Sequence, residues 1–312
     1  MIALGTFMFK NIVSDIDFNE YSELHNLVYE VSQLSELSDD LKAFARGEYF
    51  AKGVKLPWEK THQQVELRPA ELTLWGGSTG HGKSLIMGQV ILSIMEQGKK
   101  CLIASFEMPP VSTLFRMARQ ATGMKHPTEL SIDAFAKWGN EHLYIYKHTG
   151  MVDANKVLAM CRYASEQLKI EHLVIDNLMT CVNGEDDYNA QKNFVATVKS
   201  IALSTGMHIH LICHVRKVSS EKEIPIMSDI KGSSAVTSFA DNVFLVWKNA
   251  EKAQKVAENY HHFDRIEPDA ILRCTKNRNG ESTPLYKLWF DYKSQQFIEE
   301  ADTPIHNYLE VK

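Results

Sequence analysis

Short apolar runs and longer amphipathic stretches alternate along this chain from Glu71 onward. Residues 72–75, 101–106, 143–146, 172–175, 208–213 and 243–247 are rich in β-branched or aromatic side chains and predict strands. Between them, 83–96, 154–168 and 188–203 carry apolar residues at helical spacing. Strands that alternate with helices imply an α/β fold, with a mostly parallel twisted sheet covered by helices on both faces. The pattern then changes. Residues 270–276, 285–292 and 295–299 are strand-like and joined by polar turns, so the sheet is expected to continue as antiparallel strands.

Upstream, residues 14–47 alternate acidic and apolar positions at mostly helical spacing, with Gly47 as a stop. One or two amphipathic helices are expected there, too small to make a core of their own. Residues 52–70 hold two prolines and little periodicity and are expected to be a connector. The chain therefore divides into a short helical extension, 1–51, and one large α/β unit, 52–312. No stretch approaches the ~20 apolar residues that a membrane span needs. The five cysteines are scattered with no Cys-x-x-Cys pair, which fits a reducing cytosol better than a disulfide framework or a zinc ribbon. A net charge of −5 gives no global basic field, so nucleic acid would have to be held by a local lining.

The first predicted strand runs into Gly77-Ser78-Thr79-Gly80-His81-Gly82-Lys83-Ser84, which satisfies G-x-x-x-x-G-K-[ST] between a strand and an amphipathic helix. Glycines let the backbone fold its N–H groups inward as an anion nest, and the following helix N-terminus suits phosphates. Lys83 is placed to reach the β- and γ-phosphates and Ser84 to ligate Mg²⁺. A metal-associated acid is expected at the end of a neighbouring strand, and Asp176 closes the run LVID. Glu107 follows the strand at 101–106. In a parallel sheet the carboxyl ends share one edge, so Glu107, Asp176 and the glycine loop should converge. Taken alone, Glu107 reads better as an acid at a helix start than as a base, since Pro109 and Pro110 follow it.

The segments GSTGHGKS, SFEMPP, LVIDN, LICHVRK, SDIKGSSAV with ADNVFLVWKN, and TKNRNG with KLWFDYKSQQF occur in that order. Their content and order resemble DnaB-type replicative helicases, most of all the Twinkle and phage primase-helicase branch, within the RecA-like ATPases. The resemblance covers about Lys52 to Glu299. It implies a RecA-like P-loop NTPase core with ATP or another NTP or dNTP, and Mg²⁺, as cofactors. It implies that Glu107 is the water-activating base and that His214 senses the γ-phosphate. Lys276 and Arg278 match the pair that reaches into the neighbouring subunit's nucleotide, and Tyr292 a residue that stacks on the base. Hydrolysis would then require a ring, a homo-hexamer or heptamer.

Two loops, 215–224 and 229–235, match those that line the ring's channel, where Arg216, Lys217, Lys222, Lys231, Gly232 and Ser233 would hold single-strand phosphates. A few cations per subunit, repeated around a ring, make a basic channel from acidic chains. One position departs from the family: Ser238 stands where a glutamine usually couples nucleotide state to DNA grip. The implied activity is 5′→3′ translocation on single-stranded DNA with unwinding of forked duplex, in the cytoplasm of a bacterial cell or phage-infected host. No zinc-binding cysteine set or primase-like acidic core fits within the first 50 residues, so a separate primase is expected, with polymerase or loader as further partners. Helices within 17–46 are expected to pack on a neighbouring protomer. The alternative reading is a nucleotide-gated single-strand-binding ring or a recombinase-like ATPase that does not unwind.

Overall fold

In the computed structural model, the described residues are 12–13, 37–46, 52–182, 187–216, 223–232, 234–257 and 266–309. Two elements come first, β1 (Ile12–Val13) and α1 (Ser38–Ala45). The alternating part follows as β2 (Leu72–Gly77), α2 (Lys83–Glu96), β3 (Cys101–Ser105), α3 (Pro110–Thr122), α4 (Glu129–Gly139) and β4 (Leu143–Tyr146). It continues with α5 (Ala154–Glu166), β5 (His172–Asp176), α6 (Tyr188–Thr205), β6 (His208–His214), α7 (Ser234–Phe239), β7 (Asn242–Lys248) and α8 (Ala250–Ala257). The last strands are β8 (Ala270–Asn277), β9 (Leu285–Asp291) and β10 (Gln296–Ile298).

These strands form one sheet in the order β1-β4-β3-β5-β6-β2-β7-β8-β9-β10. Every pairing from β1 to β7 is parallel, and β7–β8, β8–β9 and β9–β10 are antiparallel. The change of direction falls where the sequence period changes. β2 and β5 are buried at every position, and β6 and β7 at all but the last, because helices cover both faces of a parallel sheet. One face packs α5, α6 and α7 against Leu72, Leu74, Leu173, Ile175, Leu211 and Leu245. The other packs α2, α3 and α4 against Trp75, Ile103, Val174, Ile212 and Phe244.

The connector at 52–70 is more than a tether. Val54 and Leu67 bridge each other, and Leu56, Trp58, Val65 and Leu67 are buried in the α2-side core. The Trp58 indole donates to the Phe297 carbonyl at 2.8 Å, so the connector is fastened to β10. Its apolar anchors follow an irregular path, which neither a helical nor a strand period reveals. The short helices α4 and α8 also lie outside the expected set. α4 buries only Phe135 and Gly139, which is too little apolar surface to write a period. In the extension, β1 adds a two-residue strand beside β4, whereas most of the amphipathic stretch lies outside the described residues.

Three histidines are buried together on the α2 side of the sheet: His172 on β5, and His208 and His210 on β6. His172 stacks on His208 and His210 at 5.3 and 5.4 Å between centroids, and His208 and His210 are tilted against each other at 4.5 Å. Fixed neighbours dictate their protons. The Arg68 carbonyl, 2.6 Å from His208 Nδ1, can only accept, so His208 carries its proton there and its Nε2 accepts from Thr73 Oγ at 2.9 Å. The Trp75 indole can only donate and lies 3.3 Å from His210 Nδ1, so His210 is protonated at Nε2 and donates to His172 Nδ1 at 3.2 Å. His210 and His172 are thereby neutral, and burial, which lowers the His208 pKa, keeps the third ring neutral as well. The five cysteines are free and buried. Among the described residues, no helix is long and apolar enough to cross a membrane.

Candidate active site

β2 delivers the glycine loop to the carboxyl edge of the sheet, where Gly77 is in register with His214 on β6 and Val246 on β7. Gly82 closes the loop as the N-cap of α2 with φ +88, in the left-handed region that favours glycine, and an added Cβ would stand 3.2 Å from the Phe297 ring. Thr79 and Gly80 form the exposed crown of the loop. His81 Nδ1 accepts from the Lys248 amide at 3.3 Å, tying the loop to the end of β7. Lys83 is buried, and its ammonium donates to the carbonyls of Gly77 at 2.8 Å and Ser78 at 3.0 Å. Burial lowers the Lys83 pKa against the pull of Asp176 and Glu107.

Asp176, at the end of β5, accepts from the Ser84 hydroxyl at 3.1 Å. Burial, with the Glu107 charge close by, pushes its carboxyl up to about 6. This buried acid favours a cation beside it. The Ser84 hydroxyl and the Asp176 carboxylate are hard oxygen donors that fit Mg²⁺, which takes few protein ligands and completes its shell with water and phosphate. No group of three or more His, Cys, Asp or Glu among the described residues makes a metal cage on its own.

Glu107 stands at the same edge, since β3 pairs with β5 through Ser105 and Asp176. His214 Nε2 lies 3.1 Å from Glu107 Oε1. The hydrogen bond with His214 is the main reason that the Glu107 pKa is lowered, so its carboxylate stays ionised. A third side chain joins them. Asn177 Nδ2 donates to Glu107 Oε1 and lies 2.8 Å from His214 Nε2. Its Oδ1 accepts from the amides of Met179 at 2.8 Å and Thr180 at 3.3 Å, capping the short 3₁₀ turn Leu178–Thr180. That cap fixes which end of the amide faces the site. Sequence reading passed over Asn177, although an Asn directly after a strand-end Asp is the available signal. Lys83, Ser84, Asp176, Glu107 and His214 thus meet at one corner: a glycine loop with its lysine, a hydroxyl–carboxylate pair and an ionised carboxylate beside a histidine.

The DnaB-like helicase C terminal domain family matches residues 62–299. The chain belongs to that family. It is similar to the DNA helicase/primase of Enterobacteria phage T3, 23% identical over 207 residues, which covers 59% of this chain and 36% of that protein. The chain therefore spans little more than a third of that relative's length. Its fold is shared with a solved ATPase domain, at a TM-score of 0.70 and 12% identity over 86% of this chain and 99% of that one. It is also shared with a DnaB-like replicative helicase solved in a study of its interactions with primase, at a TM-score of 0.68 and 12% identity, covering 86% of this chain and 67% of that one.

In this DnaB-like domain a cavity of about 300 Å³ opens beside the glycine loop, lined by Gly80, His81, Gly82, Phe290, Tyr292 and Phe297 among others. Half-exposed Tyr292 stands against Phe290, with ring centroids 5.1 Å apart. Lys276 and Arg278 lie elsewhere. β8 runs antiparallel to β7, with Asn277 opposite Asn242, so the pair sits at the amino edge of the parallel strands. Five residues of β2 separate that edge from Gly77, roughly 16 Å along the strands. Lys276 Nζ donates to the carbonyls of Thr237 and Ser238, each at 3.0 Å. Arg278 donates to Asp241 Oδ1 at 3.1 Å and to the Ser238 carbonyl at 3.0 Å, with its side chain 47% exposed. Buried Asp241 also accepts from Lys199 at 2.5 Å and from the Leu72 amide at 2.8 Å.

The second predicted loop is rooted in the site itself. The Lys231 amide donates to the His214 carbonyl at 2.8 Å, and the Arg216 amide to the Asp229 carbonyl at 2.6 Å. Gly232 has φ +117, and an added Cβ would come within 2.7 Å of Gln191 Oε1, so this turn requires glycine. Arg216 is exposed at the root of the first loop. Lys217, Lys222 and Ser233 lie outside the described residues. Ser238 turns its hydroxyl back to the Ala235 carbonyl at 2.7 Å.

Proposed function

We propose that this chain is the motor domain of a ring-forming replicative DNA helicase, coupling NTP hydrolysis to 5′→3′ movement on single-stranded DNA and to duplex unwinding. One observation carries the reading: the phosphate loop, acid, base and histidine share one edge of the sheet, while the basic pair stands at the opposite edge. A site split in this way is completed between copies. Lys83 and the loop amides bind the triphosphate, with Ser84 and Asp176 holding Mg²⁺. Glu107 takes a proton from water, Arg278 of the next copy stabilises the transferred charge, and Tyr292 covers the base. Arg216, Lys217, Lys222, Lys231, Gly232 and Ser233 contact the strand, and the protein works with a primase in a bacterial or phage-infected cytoplasm.

NTP hydrolysis measured with and without long single-stranded DNA tests this, with Lys83→Ala as the blank. Strong stimulation that vanishes in the variant is expected; DNA-indifferent turnover would defeat the coupled motor. Ser238, with its hydroxyl folded onto its own helix, favours a second reading, a gated ring that grips without unwinding. On a forked duplex the motor displaces a strand, whereas the gated ring only retards the fork.

The extension supports assembly. α1 leaves Leu37, Leu41 and Phe44 exposed at helical spacing, and Val111, Phe115 and Leu130 are exposed around α3 and α4. We infer that the 17–46 segment of one copy packs on its neighbour. Deletion of residues 1–50 is expected to reduce the ring to smaller species in light scattering; an unchanged oligomer would refute it.

A further inference from the structure

The Asn177 amide stands between the two groups that the hydrolysis reaction uses. Its Nδ2 carries two hydrogens and has two neighbours, Glu107 Oε1 and His214 Nε2. Its Oδ1 is committed to the amides of Met179 and Thr180, so it cannot turn over and offer oxygen to the site. The side chain is 1% exposed, whereas Glu107 is 43% exposed and would otherwise be free to swing toward water. Two proton arrangements are open to the trio, and they exclude each other. With Nε2 of His214 bare, Asn177 donates to both partners. With Nε2 protonated, His214 donates to Glu107 at 3.1 Å, and Asn177 has only Glu107 left as acceptor. In both, Glu107 Oε1 accepts a hydrogen bond, which holds the carboxylate in place and weakens it as an acceptor of a proton from water.

We propose that Asn177 is a positioning residue that clamps Glu107 against His214, holding the base parked until a bound triphosphate draws the histidine away. The clamp rests on Glu107 being the base. It gives the histidine a second role, because leaving Asn177 for the γ-phosphate removes one wall of the clamp and frees the carboxylate toward water. It also gives the Nδ2 end of Asn177 a role, which the cap made by its Oδ1 leaves unused. The lowered Glu107 pKa agrees, since a carboxylate that accepts from two donors is a poor proton acceptor.

Asn177→Ser separates the clamp from the cap, because serine also caps a turn but lacks the amide that reaches Glu107. In the assembled ring, turnover without DNA is expected to rise about tenfold, the weight of one hydrogen bond to a charged group. Turnover with saturating single-stranded DNA should stay within about twofold, so the stimulation ratio collapses. Asn177→Thr, a second capping residue without an amide, should give the same ratio. A fall of both rates by the same factor, or no change in either, overturns the clamp. Glu107→Gln in the Asn177→Ser background separates the two assignments. Residual turnover there would remove Glu107 as base and the clamp with it, whereas full loss beside an unchanged Asn177→Ser ratio removes the clamp alone.

Discussion

Arg278→Ala is expected to cut NTP turnover at least ~10³-fold in rings built from that variant alone, with little change in nucleotide KM, since arginine fingers supply rate rather than binding. The geometry explains both halves of that expectation. The phosphate loop is untouched, because Arg278 lies at the amino edge of the sheet, roughly 16 Å along the strands from Gly77 and beyond the reach of one side chain. The fold should survive, because buried Asp241 keeps Lys199 at 2.5 Å and the Leu72 amide at 2.8 Å when the guanidinium is removed. Mixing decides whether the finger acts between copies. Lys83→Ala subunits lack the phosphate lysine but carry an intact Arg278, and Arg278→Ala subunits are the reverse. Random co-assembly of equal amounts restores both residues at about one interface in four. Turnover in the mixture should therefore exceed the sum of the two pure variants many-fold. A mixture no better than its parts would show that loop and finger do not share a site.

The second large effect is acid lability from the buried histidines. In the folded chain, burial lowers the His208 pKa to about 4 and holds His172 and His210 well below the ordinary value, whereas unfolding restores each to about 6.5. The unfolded chain thus binds more protons between those limits, so stability is complete above pH ~6.5 and is lost as the pH falls through that window. For His208 alone the loss reaches about 3 kcal/mol by pH 4. Around the stack, Asp241 opposes the shift of His208 while Lys199 adds to it, and Lys99 lowers His172. Urea unfolding at pH 7.5 and 5.0 reads the effect. His210→Gln keeps a donor and an acceptor but cannot titrate, so its loss between the two pH values should be smaller than in the parent chain. Equal losses would assign the acid lability to other groups.

Much of this was legible in the chain. The strands were readable because central parallel strands are apolar on both faces, and the glycine loop because phosphate binding forces glycines, a lysine and a hydroxyl into one turn. The common edge of Glu107 and Asp176 followed from parallel topology alone. Other features carry no local period. The anchors of 52–70 reveal themselves only against Phe297, far along the chain. Asn177 matters through one amide orientation, which a cap three residues long decides. Where the histidines carry their protons depends on a carbonyl at Arg68 and an indole at Trp75, partners that pairing across strands brings within reach.

The short helix α7 gives the domain a sense of direction. Lys231, just before it, is tied to the carbonyl of His214, which faces the subunit's own nucleotide corner. At its far end, Ser238 in its last turn and Asp241 just beyond it hold Arg278. The helix itself is six residues, about 9 Å. In the proposed ring each subunit would receive a signal at one end of α7 and transmit it at the other, and the two ends are not interchangeable. Around the proposed ring of identical copies such a relay would have a handedness: news of a spent nucleotide would pass clockwise or counter-clockwise, never both, and successive subunits would fire in that order.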